Sequence, residues 1–181
     1  ALKSAARGGY DEVSLLSLST ADYSAIGKLA DALAPELREK GVALSLPSLR
    51  IDAFSIDLAK KVGAHRRTGL TFAPEAATDR LRNVINKAIP ESQVLETARE
   101  VFLRGWLTIK LYFMIGQPGE TMEDVLAIIE LEKKVLYVGR DIHGKKITVN
   151  ASVSTFVPKP HTPFQWAGQI SLDEIKEKQQ V

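Results

Sequence analysis

Two hydrophobic periods alternate along this chain, one of two residues and one of about 3.6, and few folds accommodate such an order. Glu12 to Ser19 has the spacing of a strand, and Asp22 to Lys40 that of a helix stopped by Gly41 despite Pro35 within it. Val42 to Leu46 is a short apolar strand, Ile51 to Val62 a helix ended by Gly63, and Gly69 to Phe72 the next strand. Helical spacing resumes over Thr78 to Lys87, breaks at Pro90 and continues over Ser92 to Arg104, with Gly105 where helices favour glycine. Leu107 to Ile115 is the clearest strand. The next helix opens with Thr121-x-x-Asp124, a capping box in which each residue satisfies a free backbone donor of the other, and runs to about Val138. A turn at His143-Gly144 leads to a last strand, Ile147 to Val157, followed by the loop VPKPHTPF and a short helix from Ser171.

Five strands interleaved with helices predict a parallel sheet covered by helices, either doubly wound or curled into a barrel. The strand faces choose between these. A central strand of a doubly wound sheet is apolar on both faces, yet Leu107, Ile109, Leu111, Phe113 and Ile115 alternate with Thr108, Lys110, Tyr112 and Met114. The last strand repeats the pattern, with Ile147, Val149, Ala151 and Val153 opposite Thr148, Asn150, Ser152 and Ser154. The expected fold is therefore α/β: a partial, open TIM-like parallel βα barrel, one domain over residues 1–181, with an interior wide enough for a ligand.

Composition removes several function classes. The 181 residues are 45% hydrophobic, enough for a substantial core. Their 24 basic and 22 acidic residues are interleaved, so no electrostatic footprint for nucleic acid emerges. Apolar runs such as Leu111 to Ile115 are too short to span a bilayer and no signal pattern opens the chain, so a cytoplasmic protein is expected. Cysteine is absent, which excludes disulfides, thiolate-ligated zinc, a cysteine nucleophile and an iron-sulfur cluster held by these residues. His65, His143 and His161 are far apart, and none has a partner at metal-ligand spacing, so no protein-held metal is expected. No Ser/His/Asp arrangement, Walker loop or dinucleotide fingerprint occurs.

Ligands of parallel α/β folds sit at the carboxyl ends of strands, which directs attention to a few positions. The turn Gly116-Gln117-Pro118-Gly119 follows a strand and opens a capped helix, so its backbone amides can approach a ligand. Glu75 lies just past the third strand. Lys87, twelve residues later, reads equally as a helix-terminal cation favoured by the macrodipole. Lys110 and Tyr112 line the interior if the barrel closes around them and meet water if their strand is an edge. Ser17 and Ser19 end the first strand, Ser45 and Arg50 flank the end of the second, and Lys159, His161 and Trp166 lie in a proline-rich loop placed to close the barrel mouth.

Taken together, these motifs resemble radical S-adenosylmethionine (radical SAM) enzymes, in the group of methylthiotransferases, the oxygen-independent coproporphyrinogen dehydrogenase and cobalamin-domain-linked proteins. LTIKLYFMIGQPGETMEDV resembles that group's fifth barrel strand with its Gly-x-Pro turn, and FAPEAATDRLRNVINK its fourth strand and following helix. SLLSLSTADY, LSLPSLRIDAF, KLYFMIG and STFVPKPHTPFQW resemble an uncharacterised branch of the family. The resemblance implies six βα units, of which the second to sixth are present, the first carrying the Cys-x-x-x-Cys-x-x-Cys loop for a [4Fe-4S] cluster outside this segment. It implies reductive cleavage of S-adenosylmethionine to a deoxyadenosyl radical that attacks an unknown substrate. A reductant protein such as flavodoxin or ferredoxin would be a partner, and cobalamin is a further candidate cofactor.

By the same resemblance, Ser17 to Ser19 stand where relatives hold the methionine amino group with Gly-Gly-Glu, although the glutamate is not retained. Glu75 falls where relatives use glutamine near the ribose, and Lys87 where they use arginine for the methionine carboxylate; lysine supplies the charge without a bidentate fork. Tyr112 replaces a ribose-binding aspartate, leaving the ribose to Glu75 or Lys110. Gly116 and Pro118 match and would shape the turn beside adenine. The alternative is a non-catalytic α/β module that holds a metabolite on its polar strand faces; cysteines upstream of Ala1 would distinguish the two.

Overall fold

The computed structural model describes residues 4, 7–15, 23–45 and 70–181. Strand β1 (Glu12–Ser14) pairs in parallel with β2 (Ala43–Ser45), and helix α1 (Ile26–Glu39) connects them. Ile26, Ala30 and Leu37 are the buried residues of α1, while Pro35 lies on its exposed side. A second parallel sheet has the order β3 (Leu70–Glu75), β4 (Thr108–Ile115), β5 (Thr148–Thr155). Helices α2 (Asp79–Val84) and α3 (Glu91–Leu103) connect β3 to β4, α4 (Met122–His143) connects β4 to β5, and α5 (Leu172–Gln179) follows.

Each strand of this sheet neighbours the next one in sequence. A doubly wound sheet reverses its strand order at a switch point, whereas β3, β4 and β5 progress without reversal, as in barrel-type winding. Among the described residues the sheet is open, not closed.

The alternation in β4 decides where the core forms. Ile109, Leu111, Phe113 and Ile115 are at most 2% exposed and pack with Val94, Ala98, Val101 and Phe102 of α3 and Val125, Ile128, Leu131 and Val135 of α4. Both helices present these residues at three- and four-residue spacings, which place them on one face. Full burial of each such side chain contributes about 1.5–3 kcal/mol. Val149 and Ala151 of β5 pack on the same core, while Val153 is exposed; among the described residues β5 has a neighbour on one side only. Leu107 lies outside its strand and is also exposed.

Several boundaries differ from the sequence reading: α1 begins at Ile26 rather than Asp22, and β5 ends at Thr155 rather than Val157. Strand β3 runs past Phe72 to Glu75 and includes Pro74, which has no N–H to give the ladder; a register shift between Phe72 and Glu75 absorbs it. Helix α2 stops at Val84, and Asn86 turns the chain with φ 56°. Helix α4 continues beyond Val138 to His143 and is closed by Gly144 at φ 63°. Expected helix 51–62 lies outside the described residues, as does most of the first expected strand beyond Leu15. No described helix is long and apolar enough to cross a membrane.

Gly139 lets α4 approach its neighbours. A Cβ there would lie 2.8 Å from Ile147 Cγ2 and 2.8 Å from two ring carbons of Phe102, which is fully buried. Alanine would gain about 1 kcal/mol in helix propensity, but overpacking costs about 1–3 kcal/mol. Gly139→Ala is expected to lower stability by about 1 kcal/mol in urea denaturation despite the better helix former. A gain would show that Phe102 has room to move.

Candidate functional site

The carboxyl ends of β3 and β4 are fastened together by one amide. Gln117, 3% exposed, donates through Nε2 to the Glu75 carbonyl (2.6 Å) and to the Met114 carbonyl (3.0 Å). Glu75 has φ 68°, a left-handed conformation uncommon outside glycine, and this bond helps to hold it. The other end of the amide, Oε1, is buried without a hydrogen-bond partner among the described residues. Such an orphaned acceptor costs about 1–3 kcal/mol and calls for an explanation.

The Glu75 carboxylate accepts from Lys87 Nζ at 3.4 Å, with the two side chains 29% and 33% exposed. That pair is long and solvent-screened, hence readily exchanged. Lys87 comes three residues after the end of α2, not at its last turn, and its N–H donates to the Arg82 carbonyl (2.8 Å). Lys87 thus stands just beyond the carboxyl end of α2, where its charge also complements the helix dipole.

The turn after β4 uses two glycines in left-handed conformation, Gly116 at φ 82° and Gly119 at φ 76°. Its Gly116 and Gln117 amides turn to Glu120 rather than to a ligand, contrary to the sequence expectation. Gly116 N–H donates to Glu120 Oε1 (2.7 Å), and Gln117 N–H makes a longer contact with Oε2 (3.5 Å). Glu120, with a side chain 3% exposed, also accepts from Lys178 of α5 at 2.6 Å. Ile170 covers Gly116 so closely that a Cβ would lie 2.6 Å from its Cδ1. Thus Ile170 and Lys178 reach this turn, rather than Lys159, His161 or Trp166. Trp166 is 89% exposed, and Phe164 packs edge-on against Phe156 at 6.0 Å.

A second clamp lies behind the turn. Asp124, 4% exposed, closes the capping box with Thr121 and accepts from Thr78 Oγ1 (2.5 Å) and from Arg80, which also donates to the Gly119 carbonyl (2.9 Å). Burial works against ionisation of Asp124, but bonds from Thr78, Thr121 and Arg80 together outweigh it and hold the carboxyl below its ordinary range. The start of α2 and the start of α4 are thereby locked to each other.

Lys110 and Tyr112 project from the face of β4 opposite the helices and are both exposed. They are separated from the core by the strand's own alternation. Ser17, Ser19 and Arg50 lie outside the described residues. The structure thus brings Glu75, Lys87, Gly116 and Pro118 to one edge, with Lys110 and Tyr112 on the sheet face that leads to it. Among the described residues no cluster of three or more His, Asp or Glu has the arrangement of a metal site. Sequence reasoning missed Gln117, whose type is polar where the turn needs only small residues, and Arg80, whose reach across to Asp124 leaves no local signal.

The Radical SAM superfamily profile matches residues 1–131. An uncharacterized protein of Methanocaldococcus jannaschii is 37% identical over 155 residues, covering 86% of this chain and 32% of that protein. Coproporphyrinogen III oxidase from Escherichia coli, a radical SAM enzyme, is similar with TM-score 0.65 and 14% identity over 94% of this chain and 38% of that one, a likeness of fold alone. This chain spans about a third of the length of these relatives. The profile match covers most of the sequence and accords with the open parallel sheet: the chain belongs to the radical SAM superfamily.

Proposed function

We propose that this chain forms the S-adenosylmethionine and substrate side of a radical SAM enzyme, as the core domain of a longer protein. The observation that supports this best is the joining of the Glu75–Lys87 pair to the Gly116–Pro118 turn through Gln117 at the ends of adjacent strands. Lysine has three donors, so Lys87 can keep Glu75 and still receive the methionine carboxylate. Glu75 would accept from ribose hydroxyls, and the turn would offer adenine a shaped edge whose Gly116 and Gln117 amides are already bonded. These residues fit S-adenosylmethionine in kind. They do not fit the [4Fe-4S] cluster, because the chain contains no cysteine; its ligands belong to residues outside this sequence. S-adenosylmethionine supplies this family's radical, and the work of these residues is to bind and orient it. A reductant protein such as flavodoxin or ferredoxin would complete the system.

Equilibrium dialysis of labelled S-adenosylmethionine against the full-length protein tests the reading. Lys87→Ala is expected to weaken binding about tenfold or more, since a charge-assisted bond contributes about 1.5–3 kcal/mol. Lys87→Arg should retain most of the affinity. Unchanged binding in Lys87→Ala would remove Lys87 from the site. Absence of 5'-deoxyadenosine from the anaerobically reconstituted, dithionite-reduced protein would favour the metabolite-binding module instead.

A further inference from the structure

The sheet face opposite the helices carries one charge and no partner for it. In register, Lys110 of β4 is flanked by Thr71 of β3 and Asn150 of β5. Register partners in a parallel sheet share a face, so these three side chains form a row. Neighbouring strands lie about 5 Å apart, so the Asn150 amide and the Thr71 hydroxyl stand on either side of Lys110 on this face. One step along, about 7 Å away, Tyr112 stands beside Ser152, and Met114 beside Ser154. Thr108 and Thr148 complete the face at its other end. Across β4 and β5 this face holds one cation and no carboxylate, and Lys110 forms no ion pair among the described residues. Glu75, the nearest acid at the sheet's edge, is engaged by Lys87.

Barrel-type winding makes this face the inside of the curl, since the helices cover the other. Lys110 is exposed on this face and open to an anion, and the sheet beside it provides only neutral hydrogen-bonding groups. We propose that this face binds a small organic carboxylate as substrate: the carboxylate meets Lys110 and is flanked by Asn150 and Thr71, and the body lies against the Tyr112 ring. A carboxylate matches one cation charge for charge, whereas a phosphate dianion would leave one negative charge uncompensated. That the bound molecule is the substrate rests on the radical SAM reading; the chemistry of the face does not.

The test uses the full-length protein with its lysines reductively 13C-methylated, which preserves their charge. The Lys110 signal is identified by its absence in Lys110→Arg. Phenylacetate, phenyl phosphate and phenylacetamide are titrated at constant ionic strength. The Lys110 signal is expected to move saturably with phenylacetate, at several-fold lower concentration than with phenyl phosphate, and not to move with phenylacetamide. Lys110→Gln should lower phenylacetate affinity at least tenfold, and Lys110→Arg should restore phenylacetate binding. The proposal is overturned by an equal response to phenylacetamide, by tighter phenyl phosphate binding, or by no saturation at all. A large loss of S-adenosylmethionine affinity in Lys110→Gln would also overturn it, because Lys110 would then be a cofactor contact. If the unaltered protein binds phenylacetate through Lys110 but no S-adenosylmethionine, the radical SAM reading fails and the carboxylate site stands.

Discussion

Replacing Arg82 with methionine is expected to destabilise the protein by about 3–5 kcal/mol, read from urea denaturation with an unchanged m-value. Arg82 is wholly buried, and its guanidinium gathers four acceptors. Nε donates to the Ile89 carbonyl (2.6 Å), one terminal nitrogen to the Ala76 and Ala77 carbonyls (2.8 and 2.9 Å), and the other to Asp79. Methionine keeps much of the apolar stem, so the comparison isolates the fork. Each buried carbonyl left without a donor costs about 1–3 kcal/mol; relief from holding a cation away from water offsets part of the total. Asp79 is 56% exposed and rehydrates freely, so it adds little. Lysine should recover less than half of the loss, since one ammonium cannot span bonds that diverge from a planar fork. The consequence reaches the site: Arg82 fixes the residues directly after Glu75 and two after Lys87, so the Arg82→Lys protein should also bind S-adenosylmethionine more weakly. A loss below about 1 kcal/mol would mean that the three carbonyls find water once the guanidinium is gone.

Asp124→Ala is expected to cost about 2–4 kcal/mol, with a pH signature that identifies the cause. Losing the capping box accounts for about 1 kcal/mol. Losing the bonds from Thr78 and Arg80, which tie two helix starts together, accounts for the rest. The folded protein holds this carboxyl below its ordinary value of 3.8, so its contribution is complete above that value and disappears as pH falls through the lower folded one. Stability curves of the native and substituted proteins should therefore run parallel from pH 7 to about 5 and converge below about 4. A constant difference down to pH 3 would show that Asp124 acts through packing rather than charge.

Much of the fold was legible because helices and strands here obey their own periods. Ile109 to Ile115 alternate cleanly, and the burial of every second residue follows from that pattern. Thr121-x-x-Asp124 announced the start of α4, and the capping box is formed as written. Where the reading erred, a tertiary bond outweighed a local signal. Pro74 marks a strand end in sequence, yet β3 continues through it because a shift of register costs less than giving up the pairing of Glu75. Lys87 falls just outside its helix because Asn86 closes it with a left-handed turn. The site was partly legible for the same reason: Glu75 ends one strand, Gly116 follows the next, and strand ends meet. Gln117 and Arg80 were not, since each acts on a carbonyl or carboxylate brought near by folding; Arg82 has the i,i+3 spacing to Asp79, but nothing in the sequence marks its burial against the Ala76, Ala77 and Ile89 carbonyls.

The ion pair between Lys178 and Glu120 spans 58 residues. A chain emerging from the ribosome can assemble β3, β4 and the helices between them well before Lys178 appears, because those contacts are nearer in sequence. Until then Glu120 has amide donors but no cation, and Gly116 lacks the side chain that covers it. The edge proposed to receive S-adenosylmethionine is thus the last part of this segment to be locked during synthesis.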